Sequence, residues 1–211
     1  MKEKWKLLRF VFAVLCLLPL CANATIDVNI YSDTTISSGD YGAVNIYDTP
    51  PDQTTVTMTG GTAESVWTYN SSIFNIMQNG NVSWVISAQD TSNITMSSGS
   101  IGSLQLTGYS IAYISGGSIS GSLGIMEDTA IAHIYATNFN VAPKYGNPGN
   151  GWLITGNWDD ATHSPFTIWS RNNTLPMPGT TGSQVIFHIV PEPVTLSFLL
   201  LGIMGLKNFR G

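Results

Sequence analysis

Apolar positions along the middle of this 211-residue chain return at a fixed interval. Val66, Val85, Leu104 and Leu123 stand nineteen residues apart, and the glycines Gly61, Gly80 and Gly99 and the methionines Met58, Met77 and Met96 keep the same step. Between glycine turns, apolar residues alternate with Ser, Thr and Asn, which is the two-residue period of a strand with one face buried. The rungs read Met58-Thr59-Gly60-Gly61, Met77-Gln78-Asn79-Gly80, Met96-Ser97-Ser98-Gly99 and Ile114-Ser115-Gly116-Gly117, the last one residue early before Leu123 recovers the step. Looser echoes lie at Ile36-Ser37-Ser38-Gly39 with Val44 and Ile46, ahead of an insertion around Pro50-Pro51-Asp52-Gln53, and at Ile134-Tyr135-Ala136-Thr137.

A short strand-rich repeat of this kind predicts an all-β, right-handed β-solenoid over residues 25–140, with about five coils and three short strands per coil. Coils stack about 4.8 Å apart, so residues one period apart lie over one another. Val66 to Leu123 is then expected as one inward ladder and Met58, Met77 and Met96 as a second. A β-sandwich also offers many short strands, but it does not hold one register over several cycles. The methionines are expected to fill the core and not to bind a soft metal.

Beyond Phe139 the repeat stops, and Val141 to Gly151 reads as a Pro- and Gly-rich loop. Trp152 to Trp158 and Pro165 to Trp169 then alternate like two strands around a polar turn. Residues 141–189 are expected to form a β cap that shields the last coil, since an exposed sheet edge invites pairing with other chains.

Charge narrows the class of partner. From Thr25 to Val190 the only basic residues are Lys144 and Arg171, against eleven acids, for a net charge of −9. Phosphate recognition needs clustered Lys and Arg, so nucleic acid is excluded as a partner. Both cysteines, Cys16 and Cys21, precede Thr25, so the region after it holds together without disulfides.

The two ends carry a different kind of information. A basic start with Lys2, Lys4, Lys6 and Arg9 leads into an apolar run from Phe10 to Leu20 and then Ala22-Asn23-Ala24. This is the layout of a secretory signal peptide (residues 1–24), with a signal helix that is too short to span and the small residues Ala22 and Ala24 placing cleavage after Ala24 by signal peptidase. A lipoprotein reading of Leu18-Pro19-Leu20-Cys21 is set aside, because the residue before the cysteine should be small and Leu20 is not.

At the other end, Val190-Pro191-Glu192-Pro193 precedes an apolar segment from Val194 to Leu206 and the basic residues Lys207 and Arg210. Residues 190–211 resemble the PEP-CTERM sorting signal of Gram-negative bacteria. The resemblance implies a hydrophobic transmembrane helix, recognition by an exosortase-type membrane protease, and removal of the tail near Val190, Pro191, Glu192 and Pro193. The geometry suits a transient anchor, because a helix from Val194 to Leu206 covers about 20 Å of a roughly 30 Å hydrocarbon core. The basic residues would hold its end on the cytoplasmic side. The Trp-, acid-turn- and Pro-Phe-x-Ile-containing strand pair at residues 152–169 likewise resembles a segment that follows repeats in other proteins of that group.

Candidate chemistry inside the solenoid is sparse. Asp90 and Asp128 are 38 residues apart, two periods, with Tyr109 in register between them and Glu127 adjoining Asp128. Two carboxylates about 9.6 Å apart on one column suit an inverting glycoside hydrolase by spacing alone. No Lys or Arg lies between Thr25 and Pro143 to bind an anionic sugar, and no histidine joins that column, so the acids read as solvated turn residues and no catalytic residue is expected. Asp159-Asp160-Ala161-Thr162-His163 supplies too few oxygens for calcium and reads as a polar loop. His133 and His188 read as lone, half-buried surface histidines, and the Asn-x-Ser/Thr sequences at Asn70, Asn81, Asn93 and Asn172 match by chance in a chain this rich in those residues.

Neither a metal nor a cofactor is expected. The sequence reads as a non-enzymatic protein, exported, held briefly at the inner membrane, and then placed at the cell surface or in the extracellular matrix. The family resemblance adds extracellular polysaccharide as a partner. The competing reading is a carbohydrate-binding or polysaccharide-cleaving β-helix that uses the Asp90, Tyr109 and Asp128 column with Trp67 and Trp84.

Overall fold

Seventeen strands and one short 3-10 turn make up the described part of the chain, and no α-helix occurs among those residues. The computed structural model describes residues 25–147, 150–159, 165–170 and 185–191. In chain order the first strands are β1 (Ile26–Ile30), β2 (Thr34–Ile36), β3 (Asp40–Ile46), β4 (Thr55–Met58), β5 (Thr62–Thr68), β6 (Ile73–Ile76), β7 (Asn81–Ala88), β8 (Asn93–Met96) and β9 (Ser100–Leu106). They are followed by β10 (Ile111–Ile114), β11 (Ser118–Ile119), β12 (Ser122–Ile125), β13 (Ile131–Ala136), β14 (Asn138–Pro143), β15 (Trp152–Asn157), β16 (Phe166–Ser170) and β17 (Val185–Ile189).

The strands sort into two sheets. Sheet B stacks β2, β4, β6, β8, β10, β13 and β17 in parallel, and sheet A stacks β1, β3, β5, β7 and β9 in parallel before continuing to β11 and β12. The chain visits sheet B, turns, visits sheet A, turns, and repeats. This is a β-solenoid of about five turns, as the periodicity predicts.

The expected three strands per coil become two in most coils, because two of them fuse across a bend. β5 and β7 each pair as two blocks separated by a register shift, between Ala63 and Ser65 and between Val82 and Val85. Only in the last coil does the bend separate the blocks into β11 and β12, both of which pair with β9.

Alternation of buried and half-buried residues runs through the rungs, with β4, β6 and β8 each showing the second and fourth residues buried. The interior of sheet B is a column of Ile36, Met58, Ile76, Met96, Ile114, Ile134 and Phe187, each paired with the next. A second column runs through Val56, Phe74, Ile94, Ala112, Ala132 and Val185. Facing them from sheet A stand Val44, Val66, Ile86, Leu104 and Leu123. All belong to one continuous apolar cluster, and each large side chain fully removed from water contributes about 1.5–3 kcal/mol.

Two of the expected ladders are corrected in register. Met77 does not follow Met58. Ile76 does, so the steps are 18 residues from Met58 to Ile76 and 20 from Ile76 to Met96, and only their average is nineteen. Val85 does not follow Val66 either. It pairs with Ser65, while Ile86 takes the inward place. The cause is one extra residue in β7, which has eight residues where β5 and β9 have seven.

The turns from sheet B to sheet A bring backbones into close contact. Gly61 and Gly99 have φ of +78° and +80°, and a Cβ on either would lie 2.8 and 2.5 Å from the carbonyl oxygen of Gly39 and Gly80 in the coil below. Glycine meets both demands at once.

Past β13 the chain leaves the solenoid path and returns to it. β14 and β15 pair antiparallel, as do β15 and β16, so the two strands predicted around residues 152–169 form a ribbon. β16 also pairs in parallel with β12, and β17 with β13, so the segment expected as a cap extends both sheets. Trp158 is buried there, stacked on Phe166 at 3.9 Å, and donates from Nε1 to the Gly117 carbonyl at 3.0 Å.

Candidate functional site

The acidic column proposed from spacing is a column of turns. Asn70, Asp90 and Gly108 each follow a sheet A strand with φ of 57°, 55° and 63°, and each turn is closed by a serine N–H: Ser72 to Tyr69, Ser92 to Gln89 and Ser110 to Thr107. The residue that stands over Asp90 is Gly108, whose Cβ position lies 3.0 Å from the Asp90 Cα, while Tyr109 is one place further along and exposed. The Tyr109 N–H donates to the Asp90 carbonyl at 2.6 Å. The Asp90 carboxylate accepts the Asn70 N–H at 3.0 Å, so it satisfies the backbone of the turn below. Asp128 is exposed in the corresponding turn of the next coil, where Thr129 Oγ1 donates to the Gly108 carbonyl.

Val190 and Pro191 are the last residues described. β17 pairs with β13 along its whole length, and the Val190 N–H donates to the Ala136 carbonyl at 2.9 Å, so the chain reaches Pro191 directly from a docked strand. Pro191 is exposed. Glu192, Pro193, Ala22 and Ala24 lie outside the described residues, as do Asp160 and His163 of the acidic loop. Among the described residues no helix is long and apolar enough to cross a membrane, and no group of three or more His, Cys, Asp or Glu could hold a metal ion.

His133 and His188, which the sequence presents as unrelated, meet on the outer face of sheet B. Nδ1 of His133 lies 2.9 Å from Nε2 of His188, with Tyr113 stacked on His133 at 5.1 Å and Tyr135 on His188 at 4.3 Å. Burial, and then the charge of His188, hold His133 below the ordinary histidine value. Their separation of 55 residues is no multiple of nineteen, because β17 returns to the solenoid only after the ribbon, and this is why the repeat did not reveal the pair.

Sheet A carries the most exposed tryptophan among the described residues. Its outer face bears a column of Asn29, Asn45, Trp67, Ser87 and Gln105, joined pairwise by the strand register. Asn45 Nδ2 donates to Asn29 Oδ1 at 3.0 Å. Trp67 lies back along its own strand, with Nε1 donating to Ser65 Oγ at 3.2 Å. Beside it, the bulge of β7 pushes Trp84 into solvent at 69 % exposure. In the coil above stands Gly102, where a Cβ would come within 2.1 Å of the Trp84 carbonyl oxygen. A bulge re-aims one side chain at the cost of a ladder bond, and it is rarely accidental.

At the first coil, Tyr31, Tyr47 and Tyr69 stack on one another with centroids 5.2 and 4.7 Å apart. Tyr31 ends the stack and borders an open cleft of about 630 Å³, whose other walls include Asp33, Pro51, Asp52 and Gln53. Asp33 accepts the Thr55 N–H at 2.7 Å and Asp48 the Thr54 N–H at 2.9 Å, so these carboxylates brace the inserted loop.

Comparison with known proteins gives no relative to set beside this geometry: no protein-family model, curated protein or solved structure matches the chain significantly.

Proposed function

We propose that the chain is an exported, non-enzymatic β-solenoid that is displayed at the cell surface or in the extracellular matrix. In this reading signal peptidase removes residues 1–24, and a tail resembling the PEP-CTERM signal holds the protein at the inner membrane until an exosortase-type protease releases it. The observation that carries the proposal is the placement of Val190 and Pro191: the docked strand β17 ends where the motif starts, so a folded, disulfide-free body is joined to the signal with almost no linker. The coils wind right-handed in this account, the hand that crossovers between parallel strands take. A short helix at each end completes it, the first the signal helix and the second the transient transmembrane segment.

A cleavage role for the solenoid has little support. The Asp90 carboxylate accepts a backbone N–H, Gly108 occupies the place above it, and residues 25–143 hold no Lys or Arg to stabilise developing charge. The test of the proposal is genetic. Replacing Pro191, Glu192 and Pro193 by alanine in the native host should leave the protein in the inner-membrane fraction, and an unchanged distribution between membrane and outer fractions would refute the sorting reading.

A further inference from the structure

We infer that the outer face of sheet A, centred on Trp67 and Trp84, binds a neutral polysaccharide chain. The inference is independent of how the protein is sorted.

Trp67 is held as a platform. Its N–H is tied to Ser65, and three neighbours that point outward by alternation, Ser65, Val85 and Ser87, are buried at 6, 5 and 4 % exposure. Val85 stands apart from the interior apolar cluster, so its cover comes from the outer side. An indole lying flat over these residues explains that cover and turns its other face to solvent. Trp84 stands at the bend three residues before Ser87, the rung partner of Trp67. With about 3.3 Å per residue along the strand and about 4.8 Å between rungs, the two tryptophans are on the order of 10 Å apart.

The surroundings select the ligand. Amides at Asn45 and Gln105 flank Trp67 one rung below and two above, and Ser83 and Ser103 adjoin Trp84, so hydroxyl partners lie on each side of the indoles. The π face of an indole is electron-rich and attracts the weakly positive C–H edge of a pyranose, while the ring hydroxyls reach the flanking amides and serines. A protein-docking patch would be a contiguous apolar area, and here the two indoles sit among Ser, Asn, Gln and Gly. An anionic polymer is disfavoured: Glu64 stands exposed at the same bend, and residues 25–143 hold no Lys or Arg.

The experiment uses the full-length chain in mild detergent, with tryptophan fluorescence titrated against soluble cellohexaose, chitohexaose and laminarin, and against oligoalginate as the anionic probe. At least one neutral glycan should quench the fluorescence saturably. Trp67→Ala and Trp84→Ala should each weaken that binding tenfold or more, Trp84→Phe should retain most of it, and Tyr145→Ala, on the exposed turn after β14, should leave it unchanged. Melting temperature read in parallel separates binding loss from unfolding. Absence of saturable quenching by every neutral glycan, tighter binding of alginate, or wild-type affinity in the Trp67→Ala, Trp84→Ala double variant overturns the inference. So does recovery of a protein partner that competes with none of the glycans.

Discussion

Sheet A and sheet B are wound from the same coils, but they treat register differently. In sheet B, four-residue rungs from β4 to β10 pair residue for residue without a shift, and variation in coil length is absorbed in the turns. In sheet A the strands bend, the register slips at β5 and β7, and the extra residue of β7 puts Trp84 outside. A solenoid needs only one side in strict register to keep its coils aligned. The other side can then carry irregularity, and irregularity is where a side chain can be aimed outward.

The contrast is broken most severely by a cut in the regular side. Phe74 is fully buried at the middle of sheet B, and Phe74→Ala should cost about 3–5 kcal/mol, read as a lowered denaturation midpoint in urea. A loss below about 1 kcal/mol would mean that the stacked column is not the main source of stability. Next in size is Gly99→Ala, which places a methyl 2.5 Å from the Gly80 oxygen at a φ of +80° and should cost about 1–3 kcal/mol in the same assay. Equal stability would show that the turn can open without disturbing the rungs.

Deleting Ser83 probes the irregular side. It shortens β7 to the seven residues of β5 and β9 and should change stability by less than about 1 kcal/mol. A loss as large as that of Phe74→Ala would make the bulge part of the core's support and abolish the distinction drawn between the sheets.

The smallest effect is expected at the histidine pair on sheet B. Burial keeps the folded-state value of His133 below its ordinary value near 6.5, so the unfolded chain takes up more protons. The stability tied to neutral His133 is therefore complete above about pH 6.5 and is lost as the pH falls through that value. Melting temperature should drop between pH 7.5 and 5.5, and His188→Gln should shrink that drop. An identical pH dependence in the variant would rule out the contact as its source.

Much of this architecture can be read from residues alone, and the limits have a physical origin. Glycines and apolar residues repeating near nineteen announce stacked coils, because each coil must place the same few side chains inside. Register is less visible. Ile76 and Met77 are both apolar, and only the 18 and 20 residue steps decide that Ile76 turns inward. Val85 and Ile86 pose the same ambiguity, settled by a bulge with no marker of its own beyond an unmatched tryptophan. Asp90 and Asp128 keep the two-coil register that the average period gives, since steps of 18 and 20 residues sum to 38, but the place between them belongs to Gly108 and not to Tyr109. The His133 and His188 contact depends on the path of the ribbon, which no local pattern encodes.

The central claim, a solenoid delivered by two temporary tags, is tested most directly by intact-mass analysis of the protein recovered from the outer fraction of its native host. The account predicts a species that begins at Thr25 and ends near Pro191 to Pro193. A species that still carries Val194 to Gly211 would contradict it.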